Sequence, residues 1–248
     1  MRLTPEQKHF YEENGFLAVE NVVPPQQVEA MRRRIEELCA RWDSEEARRV
    51  GVQQEAEIAG AVTSDKTAQT VRKFSSLVSY EPVFKAHATN PDLLDMVEDL
   101  IGAPLSLYAD QALLKPPFVG SEKMPHQDNA YFRVVPDSAV ITCWCALDDA
   151  TVENGCMHYM PGTHRWGVVG HEHVPGTPHL VPKGYDPKKA VAVPLKAGGV
   201  IFHHACILHH SPPNKTPHWR RAFVCHFVRS DAEMPALKAD SPPLLRLR

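Results

Sequence analysis

The sequence predicts a mainly β domain, a sandwich or barrel with flanking helices, on three observations. Beyond Pro104, short runs rich in Val, Ile, Phe, Trp, Tyr and Cys alternate with clusters of Pro, Gly, Asn and Asp, as strands and turns do in such folds. The 22 prolines against 13 glycines favour many short elements over a few long helices. The 248 residues also match the roughly 200–250 over which such folds form one domain. A single domain is therefore expected over 1–248, with a helical N-terminal part to 103, a β core over 104–228 and a polar, irregular tail over 229–248.

The elements follow from local signals. Thr4-Pro5-Glu6-Gln7 reads as an N-cap, a proline at the first helical position and a capping-box glutamine. That helix should stop at Asn14-Gly15, and Phe16–Val23 reads as a strand. Val28, Met31, Ile35 and Leu38 recur at helical spacing, predicting an amphipathic helix over Pro25–Trp42. A polar stretch to about Thr70 is ambiguous. Val83–Ile101 reads as one helix, since Leu93, Leu94, Met96, Val97, Leu100 and Ile101 repeat near every 3.6 residues. Strands are expected at Leu105–Leu114, Ala139–Leu147, Cys156–Met160, Ala192–Pro194, Val200–Phe202, Ile207–His209 and Arg220–Val228.

Composition narrows the function. A net charge of −3 offers no global basic field for nucleic acid or an anionic membrane. The first thirty residues are studded with charge, at Arg2, Glu6, Lys8, Glu12 and Glu13, which argues against a signal peptide. No run approaches the ~20 apolar residues of a membrane span. A soluble, cytoplasmic protein acting on a small molecule, as a monomer or homodimer, is the expectation. The six cysteines at 39, 143, 145, 156, 206 and 225 lie mostly in apolar runs and read as buried free thiols rather than a disulfide framework.

Three clusters carry chemistry. On extended backbone, His126 and Asp128 of Pro125-His126-Gln127-Asp128 share one face, so an imidazole nitrogen and a carboxylate oxygen can converge on a metal. Such a pair arises readily by chance in a chain with 14 histidines. Leu208-His209-His210-Ser211-Pro212-Pro213-Asn214 ends a hydrophobic run. A histidine there would complete the two-histidine, one-carboxylate triad of non-haem iron(II) oxygenases, while a hydrogen-bonded core histidine is the plainer alternative. Third, Trp219-Arg220-Arg221 opens the last expected strand, where a guanidinium can grip a carboxylate with two parallel hydrogen bonds. Both alternating faces are apolar there, so periodicity does not choose between the arginines, and one is expected at the surface.

From about Gly15 to Val228 the chain resembles the phytanoyl-CoA dioxygenase family of 2-oxoglutarate oxygenases. The resemblance rests on His126-Gln127-Asp128 with Tyr131-Phe132, then Trp144, then Glu153-Asn154-Gly155-Cys156 and Pro161-Gly162-Thr163-His164. Gly198 to Ser211 with Asn214, and Arg220 leading into Cys225-His226-Phe227, complete it. It implies a double-stranded β-helix, a cupin-like jelly roll, with iron(II), 2-oxoglutarate as co-substrate and dioxygen. It also implies that His126, Asp128 and His209 are the metal ligands and that Arg220 and Ser211 face the distal carboxylate of 2-oxoglutarate. Trp144 would line that pocket, and Lys73 and Gln111 fall near further co-substrate positions. An exposed helical lysine is the alternative for Lys73.

The usual His-Gly-Ser is His209-His210-Ser211 here, and the usual Gly-Asp is Gly198-Gly199. The His-x-Ser-x-x-Asn spacing of the family selects His209. Aspartate at 128 favours hydroxylation or a related oxidation over halogenation. The expected reaction oxidises a small organic substrate while 2-oxoglutarate is decarboxylated to succinate and CO2. A zinc- or manganese-dependent hydrolase or isomerase, and a non-catalytic 2-oxoglutarate sensor, are the rivals. Tyr131, Phe132 and Trp166 are candidate aromatic walls, and 166–189 a candidate lid.

Overall fold

A computed structural model describes residues 1–55, 67–173, 180–237, 241 and 243–248. The N-terminal signals act as expected. In α1 (Pro5–Asn14) the Thr4 hydroxyl accepts from the Gln7 N–H while the Gln7 side chain accepts from the Thr4 N–H, and Gly15 ends the helix at φ 80°. A Cβ at Gly15 would meet His164 at 2.4 Å, so the position needs glycine for space as well as conformation. β1 (Phe16–Val19) is shorter than expected, and α2 (Pro25–Ala40) buries the anticipated stripe together with Cys39.

The ambiguous stretch holds α3 (Glu45–Arg49) and β2 (Gln53–Gln54), and β3 (Val71–Ser75) and α4 (Leu77–Tyr80) follow. The expected helix over Val83–Ile101 is two helices, α5 (Pro82–Ala88) and α6 (Pro91–Ile101). Pro91 has no N–H to continue the first helix, and the Asn90 side chain caps the second by accepting from the Asp92 N–H at 2.9 Å. The β core runs β4 (Leu105–Lys115), β5 (Lys123–His126), the short α7 (Asn129–Phe132), β6 (Val140–Ala146), β7 (Met157–Tyr159), β8 (His171–His173), β9 (Leu180–Pro182), β10 (Val191–Val193), β11 (Val200–His204), β12 (His209–Ser211), β13 (Arg220–Arg229) and β14 (Leu245–Arg246).

The larger sheet has the order β1-β11-β6-β13-β4-β3-β2, with β14 also on β4; the smaller is β10-β7-β12-β5, and β8 pairs β9. Every ladder is antiparallel. The two sheets face each other as a double-stranded β-helix. The N-terminal part thus contributes three strands as well as helices. The tail is less irregular than expected, since Leu245 pairs with Leu107 and Glu233 bridges Val135.

Both faces of the larger sheet are covered. Cys143, Cys145, Phe202, Phe223, Cys225 and Phe227 pack with the helices in the largest core cluster. Trp144, Ala146, Ile201, Ala222 and Val224 pack with Met157 and Tyr159 of the smaller sheet. Double coverage makes β6 and β13 near-continuous apolar runs. All six cysteines are free and buried. No described helix is long and apolar enough to cross a membrane.

Candidate metal and co-substrate site

β5 and β12 are neighbours in the smaller sheet, with His126 directly opposite His209. Asp128 lies two residues past His126, where the chain leaves β5. The ligand atoms of the three side chains lie within 4.8 Å of one another, and all three residues are buried. Asp128 Oδ1 is 3.5 Å from His126 Nε2 and 3.8 Å from His209 Nε2.

Backbone carbonyls set the tautomers. His126 Nδ1 donates to the Met124 carbonyl at 2.8 Å and His209 Nδ1 to the Ile207 carbonyl at 3.0 Å. A carbonyl only accepts, so each Nδ1 carries the proton and each Nε2 lone pair faces the carboxylate. Burial lowers the pKa of both histidines, which keeps them neutral and able to ligate. Burial, the largest influence, would raise the Asp128 carboxyl. Its histidine neighbours, with His203 donating to it at 3.1 Å, outweigh burial and hold Asp128 well below the usual carboxylate range. Two neutral imidazoles and one carboxylate on one side of a point are a donor set that fits iron(II).

Around Asp128 runs a network that the motifs do not reveal. Its Oδ2 accepts from the Thr142 hydroxyl at 2.6 Å and from His203 Nε2 at 3.1 Å. The Tyr159 hydroxyl donates to His203 Nδ1 at 2.9 Å. Because Thr142 donates to Asp128, it accepts from His226 Nδ1 at 2.9 Å, and Gln111 Nε2 donates to His226 Nε2 at 3.3 Å. Burial pushes His226 down to about 4, consistent with the neutral ring this chain requires. Counting by two along the strands would have found two of these residues: Thr142 precedes Trp144 on β6, and His226 shares a face with Arg220 on β13.

The metal-ligating candidates open onto a cavity of about 390 Å³, lined also by Arg220, Ser211, Trp144, Gln111 and Lys73. Every candidate metal and co-substrate residue therefore meets here. Lys73 lies on strand β3 facing the cavity, not on an exposed helix. Tyr131 and Phe132 line the cavity, whereas Trp166 is half-exposed elsewhere.

No described residue of the 166–189 segment lines the cavity, and 174–179 lie outside the described residues. The described flanks of the segment are anchored. Gln127, fully buried, donates to the Gly167 carbonyl at 2.8 Å and accepts from the Val169 N–H at 2.9 Å, and the Tyr185 hydroxyl meets His210 Nδ1 at 2.6 Å.

The two arginines diverge as neighbours on a strand must. Arg221 points to the helix side and grips Asp148 with Nε at 2.7 Å and Nη2 at 2.8 Å, with Glu36 at 2.5 Å, so it is an ion-paired, buried group rather than the surface arginine expected. Arg220 points inward, its Cζ 5.4 Å from the centre of the Trp144 ring. It is 2% exposed, and its Nε and the indole Nε1 of Trp144 have no hydrogen-bond partner among the described residues. Burial and the nearby Arg72 charge push Arg220 down to about 9. That shift expresses how unfavourable a buried guanidinium is with no anion beside it. A carboxylate entering the cavity could satisfy that guanidinium with two parallel hydrogen bonds.

Sequence and structure comparisons agree with this geometry. The family model described as phytanoyl-CoA dioxygenase matches residues 11–222. A probable phytanoyl-CoA dioxygenase of Caenorhabditis elegans is 31% identical, over 92% of this chain and 76% of that protein. The chain belongs to the phytanoyl-CoA dioxygenase family. The peroxisomal phytanoyl-CoA dioxygenase of Homo sapiens is 28% identical, over 96% of this chain and 72% of its own.

Among solved structures, the non-haem α-ketoglutarate-dependent carbocyclase SnoK of nogalamycin biosynthesis is 26% identical with a TM-score of 0.73, covering 99% of this chain and 94% of that one. EvdO2 from Micromonospora carbonacea var. aurantiaca, in complex with 2-oxoglutarate, is 25% identical with a TM-score of 0.67, covering 98% and 96%. As a member of this family, the chain is a non-haem iron, 2-oxoglutarate-dependent oxidoreductase.

Two family motifs have structural explanations. Gly155 sits at φ 89°, and a Cβ there would lie 2.3 Å from the Pro212 carbonyl and 3.1 Å from Lys115. Asn214 donates to the Lys115, Pro116 and His218 carbonyls and pins the turn after Ser211. Both shape the wall at Lys115, which is itself buried and donates to the Ser121 carbonyl at 2.6 Å and the Ser211 carbonyl at 3.3 Å.

Proposed function

We propose that this oxygenase hydroxylates, or otherwise oxidises, a small organic substrate using His126, Asp128 and His209 as its iron(II) ligands. Arg220 binds the distal carboxylate of 2-oxoglutarate, with Ser211 and Trp144 beside it and Lys73 and Gln111 on the same cavity wall. The chemistry supplied by iron(II) when bound is the coupling of dioxygen reduction to decarboxylation of 2-oxoglutarate and oxidation of the substrate. The chain's own residues orient and exclude. Met124 and Ile207 aim the two imidazoles, and Thr142 and His203 hold the carboxylate. Trp144 and Val224 help to keep the Arg220 end of the cavity dry.

The observation that carries this reading is one buried guanidinium, unpaired among the described residues, sharing a cavity with two imidazoles and a carboxylate. A zinc-type hydrolase or isomerase has no use for Arg220 there. The cytoplasmic placement and the monomeric or homodimeric state expected from the sequence remain part of this proposal; free buried cysteines suit a reducing compartment.

The test is succinate formation by anaerobically purified, iron(II)-loaded protein across a panel of organic acids, thioesters and secondary metabolites. Iron-dependent succinate stimulated by one compound is expected, and Asp128→Ala should abolish it. Undiminished turnover in Asp128→Ala would refute the ligand assignment. Tight 2-oxoglutarate binding with no turnover on any compound would favour the sensor.

A further inference from the structure

Lys115 is a buried cation held by neutral groups. It is 1% exposed, and among the described residues its ammonium donates to two carbonyls, Ser121 at 2.6 Å and Ser211 at 3.3 Å, and to no carboxylate. The Glu55 carboxylate, whose charge reaches Lys115, is already spent: it accepts from Arg72 at 2.9 Å and from the Ser121 N–H and hydroxyl at 3.2 and 2.7 Å. Arg72 also donates to the Ser121 carbonyl, at 2.9 Å, so that acceptor is shared between two cations. Carbonyls solvate an ammonium without neutralising it, and an uncompensated charge in the interior is unfavourable.

The second buried cation is its neighbour. Lys115 stands directly opposite Arg220 across the β4–β13 ladder. Residues so paired point to one face of a sheet, with Cβ atoms about 4.5–5.5 Å apart. Both side chains line the cavity, as does Ser211. Burial lowers the Lys115 ammonium, and the Arg220 charge is the next largest cause. The wall around Lys115 is closely built. A Cβ at Gly120 would lie 2.7 Å from it and one at Gly155 would lie 3.1 Å from its Cδ, while Asn214 holds its carbonyl at 3.0 Å. Gly155 and Asn214, which neither the metal ligands nor Arg220 explain, thus bring one lysine up to Arg220. An ammonium has three N–H donors, and the two carbonyls take two of them.

We propose that the remaining donor of Lys115 binds the distal carboxylate of 2-oxoglutarate beside Arg220, so that two cations face the far end of the dianion. The assignment rests on the oxygenase reading above. A carboxylate can accept both hydrogen bonds of a guanidinium and a third from an ammonium. Lys115 is then a specificity-determining residue, selecting a dianionic 2-oxo acid over a monoanionic one of the same length. It also ties the co-substrate to the metal strand, because the same ammonium holds the carbonyl of Ser211, two residues past His209 on β12.

The test compares 2-oxoglutarate with 2-oxopentanoate, which has the same carbon chain and lacks the distal carboxylate, by equilibrium titration of cobalt(II)-loaded full-length protein. Lys115→Met should raise the 2-oxoglutarate Kd by about tenfold or more and change that of 2-oxopentanoate by less than about twofold. Equal weakening of both ligands would make Lys115 a strut beneath Ser211 and overturn the proposal, as would an unchanged preference for 2-oxoglutarate. A buried lysine can be needed for folding, so the parent protein supplies a second measurement, its crystal structure with cobalt(II) and 2-oxoglutarate. Lys115 Nζ should lie within about 2.7–3.2 Å of a distal carboxylate oxygen. A separation beyond hydrogen-bond reach overturns the proposal whether or not the variant folds. Failure of the parent to bind cobalt and 2-oxoglutarate, or to prefer 2-oxoglutarate over 2-oxopentanoate, would bring down the oxygenase reading itself; a failure confined to Lys115 leaves that reading standing.

Discussion

Replacing Arg220 by methionine should impair co-substrate binding and stabilise the protein without ligands. The side chain is 2% exposed, has an unpartnered Nε and ion-pairs with no carboxylate among the described residues. Its drop to about 9 from the ordinary arginine range corresponds, at about 1.36 kcal/mol per pH unit, to an upper bound of roughly 5 kcal/mol. The sign follows from the depressed value. The penalty is present at any pH below about 9 and is relieved only as the pH climbs toward the ordinary arginine range.

Cavity water and the packing around Trp144 reduce this, and a net gain of about 2 kcal/mol is expected for an apolar side chain of similar length. For a domain this size, that raises the unfolding temperature by roughly 4–8 °C. The same change removes a bidentate grip on 2-oxoglutarate worth roughly 3–6 kcal/mol, or about 10²–10⁴ in Kd. Calorimetric unfolding without ligand and equilibrium titration with 2-oxoglutarate measure the two effects. A methionine variant that is less stable and binds 2-oxoglutarate normally would refute the reasoning, since the guanidinium would then be a structural group.

Other groups give separable readouts. Thr142→Val keeps the shape but deletes the 2.6 Å hydrogen bond to Asp128 and breaks the chain to His226; metal affinity should fall about 10- to 100-fold in chelator competition, with little change in unfolding temperature. Burial raises Asp110 to about 6, so its folded form favours the protonated acid. Its stability penalty therefore grows as the pH rises from about 4 to 6. Asp110→Asn, which can still accept from the Val78 N–H, should be more stable by about 1–3 kcal/mol at pH 7 in urea unfolding and should converge with the parent near pH 4.

How much was legible in advance depended on whether the signal was local. The Thr4 capping box, the Gly15 stop and the α2 stripe are properties of a few adjacent residues, and each formed where expected. Pro91 is local too, and its reading as mid-helix overweighted the apolar repeat against a missing N–H. His126 and Asp128 could be read from their two-residue spacing, although Asp128 lies just past β5 with helical backbone and meets His126 through the turn into α7. The β2, β3 and β5 strands are polar or short and carry no such pattern.

By itself, then, the sequence determined the β-rich class, the buried free thiols, the family and the identities of the three candidate ligands. The choice between Arg220 and Arg221 had to wait for tertiary structure. With helices on one face of β13 and a second sheet on the other, both alternating faces are apolar, and the partners that separate the arginines, Asp148 and Glu36 against Trp144, come from distant segments. The same holds for Thr142, His203 and His226 around Asp128. Each meets its partner only through strand pairing or sheet facing, because the physics that joins them acts across space between residues far apart in the chain.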